Sequence, residues 1–300
     1  MNPPDARPSD EEFERHRRRL FGLAYRMLSS AADAEDVVQD AYLRWTQAHA
    51  IEVPLAWLTT VVTNLCLNRL TSARAQRESY PGPWLPEPVL TDDGALGPLD
   101  AVEQRESVAL GVLILLERLS PAERAVFVLC EAFGYPHREI AEILHVEEAH
   151  SRQLLRRARQ HVDAKRGRFP TDEATHRRIV EAFIAAARSG DMERLRELLS
   201  DDVVVWTDGG GRTAARRPIR GRDRVLRYVL GIGGRPEVRR TSNEIAHVNG
   251  EPALLVWDGG TLTAVVAVEV TGDRIDTVRM LTNEAKLGYA ATQSRIRPGS

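Results

Sequence analysis

The 300-residue chain has only two cysteines, four methionines and 6% aromatic residues. Cys66 and Cys130 lie far apart, each inside an apolar helical stretch. That pattern excludes a disulfide framework and predicts buried free thiols in a reducing compartment. No Cys, His, Asp or Glu cluster has metal-ligand spacing, and no metal or other cofactor is expected. Met1 to Asp10 is polar and Pro-rich, without the apolar core of a signal peptide. The longest apolar run, Val108 to Leu116, is too short to cross a bilayer. These absences predict a cytoplasmic chain with no membrane partner. An excess of one charge sign is missing too: 41 Lys and Arg face 43 Asp and Glu. What is present is a 43% hydrophobic share, enough for real cores in two or three domains.

Charge is unevenly distributed. Segment 33–53 holds Asp33, Glu35, Asp36, Asp40 and Glu52 against Arg44 alone. Segment 54–77 holds Arg69, Arg74 and Arg77 and no acid. Segment 150–168 holds Arg152, Arg156, Arg157, Arg159, Lys165, Arg166 and Arg168 against Asp163. Acidic, neutral-to-basic and strongly basic helices imply separate partners for separate surfaces.

Residues 10–74 read as a helical domain. Asp33 is the expected N-cap of a helix whose inner stripe is Val38, Ala41, Tyr42 and Trp45. Asp36, Gln39, Asp40 and Leu43 form its opposite face. Pro54 opens the next helix, expected to run to about Thr71. There Leu58, Val61, Val62 and Leu65 face inward, and Thr60, Thr63 and Asn64 face outward. Residues 75–106 read as a linker, because Pro81-Gly-Pro-Trp-Leu-Pro-Glu-Pro88 and Thr91-Asp-Asp-Gly94 block regular structure. Its Trp84-Leu85 pair is expected to dock on a surface, with a merely sticky linker as the alternative.

Residues 107–166 form a second helical domain. Ser120-Pro-Ala-Glu123 is a capping box with proline at the first helical position. Two short helices follow, Pro136 to Leu144 and Glu147 to about Val162. On the second, Ser151, Leu154, Leu155, Ala158 and Val162 share one face. Ala149, Arg152, Gln153, Arg156 and Gln160 share the other. An apolar inner face and an Arg/Gln outer face, after a short partner helix, suit a helix-turn-helix that enters the DNA major groove. A helical pair with a solvated basic face is the alternative.

From Thr171 the texture changes. Helices are expected over Glu173 to Arg188 and from Asp191 to Leu199. Strands are expected at Val203–Thr207, Asn243–Val248, Ala253–Trp257, Leu262–Val270 and Arg274–Leu281. Asn249-Gly250 marks a two-residue hairpin. Residues 172–288 therefore read as an α+β domain with a curved antiparallel sheet, and 289–300 as a loose tail.

Several segments carry a family resemblance. Ala34-Glu-Asp-Val-Val-Gln-Asp-Ala-Tyr-Leu-Arg-Trp45 and Ala56-Trp-Leu-Thr-Thr-Val-Val-Thr-Asn-Leu-Cys-Leu-Asn68 resemble sigma region 2. The helix pair at 134–162 resembles region 4. Trp84-Leu-Pro-Glu-Pro88, Asp208-Gly-Gly-Gly211 and Asn249-Gly-Glu-Pro-Ala253 resemble motifs of one subgroup. The chain is thus similar to extracytoplasmic-function RNA polymerase sigma factors with a C-terminal SnoaL-like domain, the SigJ-like subgroup. Three positions depart from the pattern. His145 stands where a turn glycine is frequent, and Glu147 where Ser or Thr usually caps the recognition helix. Asn283-Glu-Ala-Lys286 replaces an Asn-Pro-Asp-Lys motif, which weakens any carry-over to the tail.

The resemblance implies two all-α sigma domains followed by a SnoaL-like cone. It implies a transcription initiation factor whose partners are core RNA polymerase and promoter DNA. Asp36, Gln39, Asp40 and Leu43 would bind polymerase, an acidic face around one apolar residue that suits a basic coiled coil. Thr60, Thr63, Asn64, Asn68, Arg69 and Arg74 would meet the −10 DNA, where polar groups on an acid-free surface suit unstacked bases. Arg77 would join them at phosphates, and the loop from His49 to Pro54 resembles the base-capturing loop. Arg152, Gln153 and Arg156 would read −35 base edges, with Arg157, Arg159 and Lys165 on the backbone.

The cone-like domain offers Asp208, His247, Trp206, Trp257 and Asp258 as polar or aromatic candidates, with no base paired to an acid at telling spacing. Asp208-Gly-Gly-Gly211 reads as a flexible loop. The domain is expected to be regulatory rather than enzymatic, with no catalytic residue, and to pack on Trp84, Leu85 and Pro86. A small ligand in its pocket is left open as a partner. The alternatives are a SnoaL-like enzyme, which needs an acid/base set, and a ligand-sensing DNA-binding regulator, which does not need the acidic 36–43 face.

Overall fold

The computed structural model describes residues 9–78, 80–92, 94–96, 107–163, 172–211 and 214–296. The side chains of 72–78, Arg74 and Arg77 among them, lie outside the described residues, as do Lys165, Arg166 and Arg168. The chain forms two compact units, Met1–Glu78 with Asp93–Arg166, and Ser79–Asp92 with Gly167–Ser300.

The first unit is helical. Helix α1 (Asp10–Leu28) starts at Ser9, whose hydroxyl accepts from the Glu12 amide. Three acids in its first turn and Arg26 in its last match the helix dipole. It ends at Ser29, which takes a left-handed φ of 55°. Ser30 then caps α2 (Ala31–Gln47) by accepting from the Asp33 amide at 3.1 Å. The cap expected at Asp33 therefore falls three residues earlier, because the Ser29 turn brings Ser30 into extended geometry. Helix α3 (Pro54–Glu78) runs a full turn and more beyond Thr71, into the expected linker. No proline or glycine interrupts 55–78.

Helix α4 (Leu110–Leu116) is followed by α5 (Pro121–Phe127), whose Ser120/Glu123 capping box is fully formed. One π-helical turn, Val128–Ala132, continues α5. Helices α6 (His137–Leu144) and α7 (Glu148–Asp163) are joined through His145 in left-handed geometry, φ 55° and ψ 47°. A side chain there is strained where glycine is not. Buried arginines tie α5 to α1. The Arg124 guanidinium donates to the Arg26 carbonyl, to Ser29 Oγ and to Glu117 Oε1 at 2.7 Å. Arg26 Nε donates to Ser107 Oγ, and its guanidinium lies over the Phe133 ring. Burial lowers both arginine pKa values to about 9, so both stay charged at neutral pH. A Cβ on Gly22 would meet the Leu96 carbonyl at 2.3 Å, so only glycine allows that approach.

The second unit begins with α8 (Glu173–Ser189), capped by Asp172 and ended by Gly190, and α9 (Met192–Leu198), capped by Asp191. There follow β1 (Leu199–Asp208), β2 (Ile219–Arg220), α10 (Arg222–Gly233), α11 (Pro236–Arg239), β3 (Ser242–Val248), β4 (Glu251–Asp258), β5 (Thr261–Thr271), β6 (Arg274–Leu281) and α12 (Glu284–Ile296). The sheet order is β2-β1-β6-β5-β4-β3. Strands β3 to β6 form the expected meander, with Asn249 and Gly250 both at positive φ in the β3–β4 turn. The sheet is not wholly antiparallel: β1 pairs parallel to β6. A parallel pair needs a long crossover, and α10 with the meander supplies it. Phe183, Leu195, Leu198, Val203, Val205, Val225, Val229 and Val268 belong to the core between α8–α10 and one sheet face.

The tail is not loose through 296. Helix α12 buries Leu287, Ala290, Gln293 and Ser294. Residues 80–92 also belong to this unit. Leu90 bridges Val248 at the β3 edge, the Thr91 amide donates to the His247 carbonyl, and the Asn249 amide donates to the Val89 carbonyl. The segment covers a sheet edge that would otherwise offer unpaired backbone groups.

Candidate functional site

Three surfaces concentrate the candidate residues. On α2, Val37, Val38, Ala41 and Trp45 are buried, which turns Asp36, Gln39 and Leu43 outward. Leu43 is 52% exposed, a large apolar side chain set among polar ones. Asp40 is half-buried and pairs with Arg69 of α3 at 3.0 Å. Arg69 also donates to the Asp33 carbonyl. It thus braces α2 against α3, in addition to the phosphate contact expected of it.

On α3, Asn68 is exposed, and Thr60 and Asn64 are half-buried. The Thr60 hydroxyl donates back to the Ala56 carbonyl. Thr63 is corrected: it is fully buried, and its hydroxyl has no hydrogen-bond partner among the described residues. Thr63 stacks one turn above Thr59, whose hydroxyl is 2.9 Å from Tyr135 Oη. The second helical module covers this side of α3. Beneath it Cys66 is buried, and burial pushes its thiol pKa up.

On α7, Ser151, Leu154, Leu155, Ala158 and Val162 are buried, and Arg152, Gln153, Arg156, Arg157, Arg159 and Gln160 are exposed. Gln153, Arg156, Arg157 and Gln160 line one shallow depression. His137 Nδ1 and Ser151 Oγ, 2.9 Å apart, fix α6 to α7. Arg152 pairs with Glu148 one turn back, and Arg159 pairs with Glu131 at 2.6 Å. Arg156 and Arg157 are in no ion pair among the described residues. The Glu147 main-chain carbonyl accepts from the His150 and Ser151 amides, so the backbone supports the start of α7.

The second unit holds a buried polar cluster at the end of β1. Asp208 is corrected from a loop residue to the hub of that cluster. Lys286 Nζ donates to Asp208 Oδ2 at 2.7 Å and to the Leu85 carbonyl at 2.7 Å. The Leu85 amide donates to Asp208 Oδ2 at 2.9 Å, and Tyr80 Oη bonds Oδ1. Asn283 donates to Tyr80 Oη. The Lys286 ammonium lies 4.1 Å from the Trp84 ring centroid and 4.8 Å from that of Tyr80. Burial and the Asp208 carboxylate push the Tyr80 pKa up. Trp84 is half-buried, and Leu85 and Pro86 are buried. The departure at 283–286 falls on Glu284 and Ala285, both exposed, so Asn283 and Lys286 keep their contacts. Gln293 exchanges two hydrogen bonds with the Leu90 backbone, at 2.8 and 3.1 Å. Sequence reasoning missed Tyr80 and Gln293, which have no local signal, and discounted Lys286, which stands in the altered 283–286 motif.

The remaining candidates do not converge. His247 lies between two carboxylates, Asp92 at 2.6 Å and Glu173 at 2.9 Å. Trp206 lies under Arg220. Trp257 buries an indole N–H with no partner among the described residues, and Asp258 is exposed. The described residues contain no group of three or more His, Cys, Asp or Glu able to hold a metal ion. None of their helices is long and apolar enough to cross a membrane.

A helix-turn-helix with an exposed Arg/Gln face, in one unit with a three-helix module that bears an acidic face, has the form of a DNA-binding protein with a second docking surface. Comparison with known proteins agrees. Residues 13–76 match Sigma-70 region 2, residues 112–162 match Sigma-70 region 4, and residues 180–283 match a SnoaL-like domain. The chain is 42% identical over 245 residues to the ECF RNA polymerase sigma factor SigJ of Mycobacterium tuberculosis, covering 80% of this chain and 78% of that one. It is 32% identical over 290 residues to the probable ECF RNA polymerase sigma factor SigI of the same species, covering 93% and 95%. The crystal structure of the M. tuberculosis factor SigJ superposes with a TM-score of 0.74 and 36% identity, covering 94% of this chain and 99% of that one. The chain belongs to the extracytoplasmic-function RNA polymerase sigma factors, which are transcription initiation factors, and carries a C-terminal SnoaL-like domain.

Proposed function

We propose that this chain binds core RNA polymerase through Asp36, Gln39, Asp40 and Leu43 and directs it to promoters read by α3 and α7, acting in the cytoplasm. The observation that carries this reading is the pair of unlike exposed faces. Helix α2 presents acids around Leu43, and α7 presents Arg152, Gln153, Arg156, Arg157 and Arg159 over an apolar floor. Arg152, Gln153 and Arg156 suit base edges, and Arg157 and Arg159 suit phosphates. Thr60, Asn64 and Asn68 remain the −10 candidates with an accessible side. Thr63 can join them only after the second helical module leaves α3.

The C-terminal unit acts on this process as a regulator. Its Asp208–Lys286 pair grips the Tyr80–Leu85 stretch, part of the connection between the two sigma modules. Holding or releasing that stretch sets how much chain is free between them. A small ligand, if one binds, would act by competing for the groups that grip the linker. A catalytic role is not favoured. The Asp208 carboxylate is engaged by Lys286 and the linker, and between helices and sheet Thr207 meets Tyr228 while His176 meets only the Val268 carbonyl among the described hydrogen bonds.

Run-off transcription with core polymerase tests the reading. The Asp36→Arg/Leu43→Glu double variant should lose about tenfold or more in rate, the order expected for removing an interface anchor. Its affinity for duplex DNA should stay unchanged. Unchanged transcription would exclude α2 as the polymerase-docking face.

A further inference from the structure

We propose that the C-terminal unit carries its own duplex-DNA-binding surface, built from the exposed arginines along α10 and α11. Between Ala214 and Arg240 the chain has nine arginines, no lysine, and only Asp223 and Glu237 as acids. Those charges are not consumed by the fold. Among the described residues, Arg222 is tied to Asp201 at 2.7 Å and to the Leu199 carbonyl, and Arg220 lies over the Trp206 ring. Asp223 is already paired with Arg196 from α9. Arg217, Arg224, Arg227, Arg235, Arg239 and Arg240 are all exposed and in no ion pair among the described residues.

Their placement is ordered. Val225, Leu226 and Val229 anchor α10 in the core and turn Arg224 and Arg227, one turn apart, to solvent. Arg235 and Arg239 stand one turn apart on or beside α11. Arg217 precedes α10. A twelve-residue helix is about 18 Å long, so the arginines track a length over which a duplex presents many phosphates, roughly one charge per 1.7 Å of axis. Like charges at this density repel each other, and an anion that binds them relieves the repulsion. A guanidinium fork also matches phosphate geometry.

Composition selects the kind of polyanion. The large apolar side chains exposed among the described residues are Leu43, Val53 and Met192, none of them here. An acidic protein partner would need an apolar centre to desolvate. Single-stranded DNA would need exposed aromatic rings, and Tyr228, the aromatic of this stretch, is half-buried against Thr207. A surface of exposed arginines without either suits the duplex backbone, read without sequence preference.

The test uses the full chain and a mixed-sequence duplex of about 30 base pairs, with affinity measured between about 50 and 200 mM salt. Arg224→Gln/Arg227→Gln/Arg235→Gln/Arg239→Gln should weaken binding about tenfold or more at the lower salt. The slope of log affinity against log salt should become shallower by roughly 3 to 4, at about 0.9 per lost phosphate contact. The four-lysine counterpart should keep most of the affinity and slope, which separates charge loss from misfolding. Arg156→Gln/Arg157→Gln on α7 should lower affinity independently of the quadruple change. Wild-type affinity and slope in the glutamine variant would overturn the proposal. So would unchanged duplex binding with loss of core polymerase, which would assign the surface to a protein partner.

Discussion

In the first unit two buried arginines are held mainly by neutral oxygens; in the second, at the end of β1, a buried carboxylate and ammonium neutralise each other around a captured segment. Arg124 sits at the C-terminal end of α1, where carbonyls and the helix dipole favour a cation, and Glu117 supplies the one carboxylate. Its partners are folded helices, so the cluster fixes their packing. Asp208 and Lys286 bond a stretch without helix or strand, and their partners at Tyr80 and Leu85 are distant in sequence. The contrast separates two uses of buried charge. One holds a module together, and the other holds a segment that has no helix or strand of its own.

That contrast can be broken by removing charge from each cluster. The largest effect is expected from Lys286→Met, which strands a fully buried Asp208. Breaking one side of a buried pair costs about 3–5 kcal/mol. Amide exchange at Leu85 and Leu90 should accelerate while α1 and α5 stay protected. The double change Asp208→Leu/Lys286→Met should recover part of the thermal stability but leave Leu85 exchanging fast, because the acceptor for its amide is gone. Equal protection at Leu85 in all three proteins would remove the distinction.

Arg124→Met should come close to that, at about 1–3 kcal/mol for each group left unsatisfied, chiefly the Glu117 carboxylate and the Arg26 carbonyl. The loss should fall on the first unit, measured by denaturant unfolding with exchange at α1 and α5. A loss spread equally over both units would show that the clusters are not independent.

A smaller, pH-dependent effect belongs to the second unit. His176 is buried, with Nε2 3.0 Å from the Val268 carbonyl, and needs no charge to donate there. Burial is the main cause that lowers its pKa below the ordinary 6.5, with the nearby His247 contributing. The unfolded chain then binds the proton more readily than the folded one. His176 therefore supports stability above pH 6.5, and that support is lost as pH falls from 6.5 through the lowered folded value. His176→Gln should flatten this part of the stability profile. An unaltered profile would assign the acid sensitivity elsewhere.

The smallest effect is expected from Thr63→Val. Removing a buried hydroxyl that lacks a partner should change stability by less than about 1 kcal/mol, in the stabilising direction. A clear destabilisation would mean that Thr63 is bonded in solution, as in an arrangement with α3 uncovered.

What could be read from sequence follows from range. The two faces of α7 and the inner stripe of α2 were legible because helical periodicity is local. The same logic put Thr63 outside, because threonine is polar and periodicity does not reveal a second covering module. The meander was legible from alternation and Asn249-Gly250, whereas the β1–β6 parallel pair joins strands at opposite ends of the domain. Helix α12 was hidden because its inward positions include Ala290, Gln293 and Ser294 rather than an apolar stripe. Asp208 read as a loop residue because the groups that bury it, Tyr80, Leu85 and Lys286, come from distant segments.

The regulatory account rests on the captured 80–90 segment, and one comparison tests it most directly. Run-off transcription by the full-length Asp208→Leu/Lys286→Met protein should be measured beside wild type with saturating core polymerase, after exchange at Leu85 confirms that the segment is free. The account predicts a several-fold change in transcript yield, the order of a typical coupling free energy of about 1–3 kcal/mol. Identical yield from a protein whose Leu85 amide exchanges freely would contradict it.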